Sequence, residues 1–212
     1  MNPDFAQLRL LDHPLIRQKL YCLRDRSTGS LNFRLLVGEL GALMVYEATR
    51  NLALRELPVE TPLEKTTGHI LAQPVTLVPI LRAGLGMCEG ILNLIPQARV
   101  GHIGLYRDHE TLQPVRYYQK FPPDLADSEI FVIDPMLATG GTAVAAIDCL
   151  KEAGGRSIHF ICLVAAPEGV RRLCDAHPEI SIYAAALDRE LNKNAYILPG
   201  LGDAGDRYYG TL

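Results

Sequence analysis

The sequence predicts an open α/β fold: a mostly parallel, twisted sheet with helices on both faces. Three observations predict it. First, continuous Val/Ile/Leu runs at 75–80, 130–134 and 157–164 have strand length. Strands apolar on both faces belong to a parallel sheet covered on both sides. Second, Gly-containing turns and helix-period segments follow these runs. Third, the 212 residues are 48% hydrophobic and 21% charged, which suits a packed core and excludes wholesale disorder.

The N-terminal third reads as helical. Pro14 suits a first helical turn, and Leu15, Ile16, Leu20 and Leu23 share a face. A second helix is expected over 31–54, capped by Ser30, with Leu36, Leu40, Leu43, Met44 and Glu47 recurring at three and four. Segment 56–66 is charged and carries Pro58 and Pro62, so a short extended stretch is expected. Then strand and helix alternate: strand 75–80, helix 84–94, strand 100–106, strand 130–134, helix 142–153 stopped by Gly154-Gly155, strand 157–164, helix 168–176 and strand 180–184. Residues 107–127 are too polar for core and predict a projecting hairpin arm, with Tyr117 and Tyr118 placed to dock on a neighbour. No repeat or linker interrupts the chain, so it reads as one domain over 1–212.

Charge and cysteine usage exclude several classes. Net charge is 21 − 24 = −3, which offers no basic field for nucleic acid. No apolar run reaches the ~18 residues of a membrane span. Met1-Asn2-Pro3-Asp4 lacks the basic head and apolar middle of a secretory signal. Five widely spaced cysteines show no zinc pattern. A reduced, cytoplasmic protein is expected.

Three segments carry chemistry. In the first, strand 130–133 ends at Asp134, and Pro135, Met136, Leu137 and Ala138 lead into Thr139-Gly140-Gly141-Thr142 at a helix start. Glycines let backbone N–H groups approach phosphate oxygens, and the helix N-terminus adds partial positive charge. The two threonine hydroxyls can donate as well. Asp134 lies a sugar's length away, ready to accept from ribose hydroxyls, so the segment suits a ribose 5-phosphate. No Gly-Lys-Ser/Thr follows, so it is not a Walker loop.

In the second, Val78-Pro79-Ile80-Leu81-Arg82-Ala83-Gly84 joins a strand to a helix, and Arg82 can grip a diphosphate bidentately. The third is 196–211, with four glycines. Regular structure is not expected there. A Gly-rich backbone can offer its own N–H and C=O groups to a flat polar ligand. In open α/β folds, ligands bind beyond the carboxyl ends of the strands, which gathers these segments at one edge. Arg172 and Lys151 read as solvated faces, and no nucleophile elbow is present.

Together the three segments resemble the uracil phosphoribosyltransferases. The resemblance rests on 78–84, on Asp134-Pro135-Met136-Leu137-Ala138-Thr139-Gly140-Gly141-Thr142, on Pro199-Gly200-Leu201-Gly202-Asp203-Ala204-Gly205-Asp206-Arg207, and on the arm from Tyr106-Arg107-Asp108 to Tyr117-Tyr118. It implies a type I phosphoribosyltransferase fold. It implies transfer of the phosphoribosyl group from 5-phosphoribosyl 1-diphosphate to uracil, giving UMP and diphosphate, with Mg²⁺ as cofactor. By the same resemblance, Arg82 and Arg107 hold the diphosphate, and Asp134 to Thr142 bind ribose and 5-phosphate. Ile197, Gly202, Asp203 and Ala204 line the uracil site. Asp203 also reaches the donor, through Mg²⁺. Asp203 and Arg107 are the catalytic candidates. A homodimer or homotetramer is implied, and GTP is admitted as an effector. His109 stands where the family often has an acid, and Thr142 where it often has Ser.

Two rival readings are weaker. A pyrimidine-sensing RNA-binding regulator on the same fold would want Lys/Arg clusters that this chain lacks. Purine and orotate transferases lack the Asp134-Pro135 pair and the 202–206 tail.

Overall fold

A computed structural model describes residues 5–107 and 114–211, with Arg107 and Pro114 as backbone only. In chain order the elements are β1 (Leu8–Leu10), α1 (Pro14–Arg24), α2 (Ser30–Ala48), β2 (Leu54–Glu60), β3 (Lys65–Leu71), β4 (Val75–Leu81), α3 (Leu85–Leu94), β5 (Arg99–Val100), β6 (His102–Arg107) and β7 (Pro114–Lys120). After a 3₁₀ turn at Leu125–Asp127 come β8 (Glu129–Ile133), β9 (Met136–Leu137), α4 (Gly141–Glu152), β10 (Ser157–Ala165), α5 (Pro167–Ala176), β11 (Ser181–Leu187), β12 (Glu190–Leu191), β13 (Ile197–Leu198) and α6 (Ala204–Tyr209).

The main sheet runs β1-β11-β10-β8-β4-β6-β7. Every pairing along it is parallel except β6 with β7. The period-2 alternation of strand side chains divides the core into two layers. In β8, Phe131 and Ile133 face α2 and α3 with Phe33, Leu40, Met44, Met87 and Ile91. Ile130 and Val132 face α4 and α5 with Ile147, Leu150, Val170 and Leu173. All of these are fully buried, and each contributes about 1.5–3 kcal/mol of transfer free energy. Among the described residues no helix is long and apolar enough to cross a membrane.

The expected open α/β fold is present, with four corrections. Helix α2 ends at Ala48, not 54, and Gly29 rather than Ser30 is its N-cap. Segment 56–66 is not a lone extended stretch. It is the turn of an antiparallel hairpin, with Leu54 opposite Leu71 and Glu60 opposite Lys65. Its Thr, Val and Ile content favours strand, and the Thr61 hydroxyl accepts from the N–H groups of Leu63 and Glu64 to close the turn. The arm is a hairpin of β6 and β7, and by Leu125, which is buried, the chain has rejoined the body. The C-terminal stretch holds a short helix despite its glycines. The Asp203 carboxylate accepts from the Asp206 N–H to start it, and Gly210 in the left-handed region closes it.

Candidate active site

The three chemistry-bearing segments meet at the carboxyl edge of the sheet. Strand β8 delivers Asp134 to that edge, and the following loop is fastened to β10. The Pro135 carbonyl accepts from the N–H groups of Leu163 (3.0 Å) and Val164 (3.1 Å), and the Leu137 carbonyl from that of Ala166 (2.9 Å). Gly140 then turns the chain into α4 with φ +78°. A Cβ there would stand 2.7 Å from the Gly169 carbonyl, so glycine is required both by the turn and by the closeness of α5. The result is a helix N-terminus behind a loop pinned to β10, an arrangement that can hold phosphate.

Asp134 is mostly enclosed. Burial pushes its carboxyl up to about 7. The Met136 N–H donates to Oδ1 at 3.2 Å and pulls the value back, while the Asp203 carboxylate pushes it further up. The Asp203 carboxylate lies on a cleft of about 620 Å³. Met136, Ala138 and Thr139 line one wall, Gly202 and Asp203 another, and Asn194, Ala195 and Tyr196 of the β12–β13 loop a third.

Arg82 lies on the neighbouring loop after β4, its guanidinium 5.6 Å over the Tyr209 ring. The Tyr209 hydroxyl donates to the Arg82 carbonyl at 3.2 Å. Helix α6 therefore joins the β4 loop to the Gly-rich segment. Ile197, Leu201 and Ala204 bury their side chains, so toward the cleft they offer main chain only. Gly202 and Asp203 are exposed.

A profile of the uracil phosphoribosyltransferases matches residues 10–211. The chain belongs to the uracil phosphoribosyltransferase family. A protein from Halalkalibacterium halodurans with that name is 58% identical over 207 residues, covering 97% of this chain and 99% of its own length. One from Listeria welshimeri is 56% identical with the same coverage. The solved structure of the AQ2163 protein from Aquifex aeolicus superposes with a TM-score of 0.91 at 38% identity, covering 95% of this chain and 97% of its own.

The uracil phosphoribosyltransferase segments named from sequence are thus neighbours in space: Met136, Ala138, Thr139, Gly202 and Asp203 line one cleft, Asp134 lies behind it close enough to feel the Asp203 charge, and Arg82 is on the next loop. Arg107 ends β6 opposite Pro114, and its side chain and all of His109 lie outside the described residues. Sequence reasoning missed some contributors. Arg172 is exposed as expected, yet its Nη1 lies 3.2 Å from where a Gly141 Cβ would stand, above the start of α4. Arg24 and Asp188 reach Gly200 from 176 and 12 residues away. No local motif could have flagged them.

Proposed function

We propose that this chain transfers the 5-phosphoribosyl group of 5-phosphoribosyl 1-diphosphate to uracil, giving UMP and diphosphate. One observation carries the reading. The backbone-fastened loop that follows Asp134 and the Gly-rich segment at Gly202-Asp203 border a single cleft, with Asp134 close enough to Asp203 to feel its charge. The membership of the chain in its family supports the same reading.

In the reaction the C1′–O bond to diphosphate breaks, a C1′–N bond to uracil forms, and the uracil nitrogen loses its proton. The N–H groups of 138–142 and the hydroxyls of Thr139 and Thr142 bind the 5-phosphate. The Asp134 carboxylate accepts from the ribose hydroxyls and orients the ring. Arg82 and Arg107 meet the negative charge that grows on the departing diphosphate, an interaction stronger in the transition state than in the ground state. Main-chain groups of Ile197, Gly202, Asp203 and Ala204 read the base. The uracil proton passes to Asp203, or uracil enters already deprotonated. An Asp203→Asn variant with unchanged kcat and pH profile would remove Asp203 from that role.

Magnesium fits as an ion carried by the substrate. Among the described residues no three His, Cys, Asp or Glu side chains form a metal cage. Mg²⁺ prefers substrate phosphates, waters and one or two carboxylates, and exposed Asp203 supplies such a carboxylate. Asp203 would hold the ion, which would add positive charge beside the diphosphate.

A homodimer or homotetramer is supported by the β2–β3 hairpin, which leaves Leu54, Leu57, Val59, Leu63 and Ile70 exposed. Sedimentation velocity measures the assembly.

Labelled uracil, cytosine and hypoxanthine, each incubated with the donor and Mg²⁺, with and without GTP, test the reading. UMP from uracil alone is the expected result. No UMP, or preference for a purine base, overturns it. The GTP arm reads any effector response.

A further inference from the structure

The Gly-rich segment is held from behind by two arginines that come from opposite ends of the chain. Arg24 closes α1, and Asp188 follows β11. Their side chains pair bidentately, Nη2 to Oδ1 at 2.6 Å and Nη1 to Oδ2 at 2.8 Å. Arg24 Nη1 also donates to the Gly200 carbonyl at 2.7 Å. The Gly200 N–H donates to Asp188 Oδ2 at 2.9 Å. Both polar groups of Gly200 are therefore taken by one ion pair. Asp188 is 5% exposed and Arg24 23%, so the pair is largely shielded from water.

Arg207 holds the carbonyl of the next residue. Its Nη1 donates to the Leu201 carbonyl at 2.7 Å and its Nη2 to the Asp25 carbonyl at 2.6 Å. Its guanidinium lies 4.4 Å over the Phe33 ring. The carbonyls of Gly200 and Leu201 are thus turned to the arginines. The Asp203 carbonyl accepts from the Arg207 N–H at 3.1 Å. Gly202 and the start of α6 are left to meet a ligand.

We propose that Arg24, Asp188 and Arg207 are positioning residues of the base site. They fix the backbone of 200–201, so that the main-chain donors and acceptors of 202–204 stand in the array a pyrimidine requires. This rests on the assignment of uracil to that segment. Charge alone does not suffice: only a guanidinium fork reaches a carboxylate and a carbonyl at once. Unlike a general folding contact, the clamp touches neither Asp134 nor the 139–142 loop. Its loss should reach uracil and spare the donor.

The test is steady-state kinetics of Arg24→Met, Arg24→Lys and Arg207→Met against wild type, with melting temperature recorded for each. The expected result is a rise of about tenfold or more in the KM for uracil in all three variants, with the KM for 5-phosphoribosyl 1-diphosphate within twofold of wild type. Arg24→Lys failing to restore uracil binding is part of that expectation. If Arg24→Met does not fold, Arg207→Met, whose contacts lie nearer the surface, decides alone. An unchanged uracil KM, or both KM values rising together, overturns the clamp. A wild-type protein that makes no UMP overturns instead the functional reading beneath it.

Discussion

The two walls of the cleft are built on different principles. The proposed phosphate loop from Asp134 to Thr142 is made almost wholly of contiguous backbone at a strand-to-helix junction. Its fastenings are main-chain bonds to β10 and the close approach of Gly169. The Gly-rich wall from Pro199 to Asp203 owes its shape to side chains from far away in sequence, with Arg24 separated from Gly200 by 176 residues. A loop specified mainly by its own backbone is complete once its strand and helix stand against β10 and α5. A remotely specified one exists only when the whole domain has closed around it. The anion wall should therefore fail through its own residues, and the base wall through residues that never touch the ligand.

That contrast can be broken at several points. The largest effect is expected from Asp134→Ala, which removes charge-assisted hydrogen bonds to ribose worth about 1.5–3 kcal/mol each. The kcat/KM for the donor should fall by roughly 100-fold or more, and a loss below threefold would show that this carboxylate does not hold the sugar. Next comes Gly140→Ala. A φ of +78° and a carbonyl 2.7 Å from the new Cβ should cost about 2–3 kcal/mol, read as a lower urea midpoint. A donor KM that rises while the uracil KM holds would sharpen the separation of the two walls.

Asp134→Asn should stabilise the ligand-free protein in a pH-dependent way. Burial pushes the folded carboxyl from its ordinary value of 3.8 up to about 7, so its ionisation penalises the fold. That penalty is full above about pH 7, shrinks as pH falls towards 4, and is absent below. The variant should melt higher than wild type at pH 8 and equal to it near pH 3.5. An advantage independent of pH would contradict the assignment. The smallest change is Ala195→Gly. Ala195 sits at φ +62° in the β12–β13 loop, where a Cβ costs about 1–2 kcal/mol. Against the greater freedom of glycine when unfolded, the net gain should be about 0.5–1 kcal/mol in chemical denaturation.

Legibility in the sequence follows the same division. The parallel sheet was readable because apolar runs on Val75–Leu81, Glu129–Ile133 and Ser157–Ala165 need covering on both faces. The phosphate loop was readable because its glycines, threonines and aspartate lie within nine consecutive residues. The β2–β3 hairpin was less so. It is exposed along nearly its whole length, so no burial alternation marks its strands. The end of α2 was overrun because Leu52 and Leu54 prolong the apolar period, while the helix stops at Ala48. In the C-terminal stretch, the glycine count hid a cap that depends on a single side chain, Asp203 bonding to the Asp206 N–H at 2.9 Å. Arg24 and Asp188 left no trace in sequence, since a pairing across 164 residues has no period.

The enclosure of Asp134 has a thermodynamic corollary. Near neutrality the empty pocket is a mixture of molecules with and without a hydrogen on that oxygen. In the proposed ribose contact, sugar hydroxyls would select the anionic population, so each docking event would expel a fraction of a proton into the medium. Calorimetric titrations of the donor in Tris and in phosphate should then give apparent heats that differ in proportion to the buffers' own ionisation enthalpies.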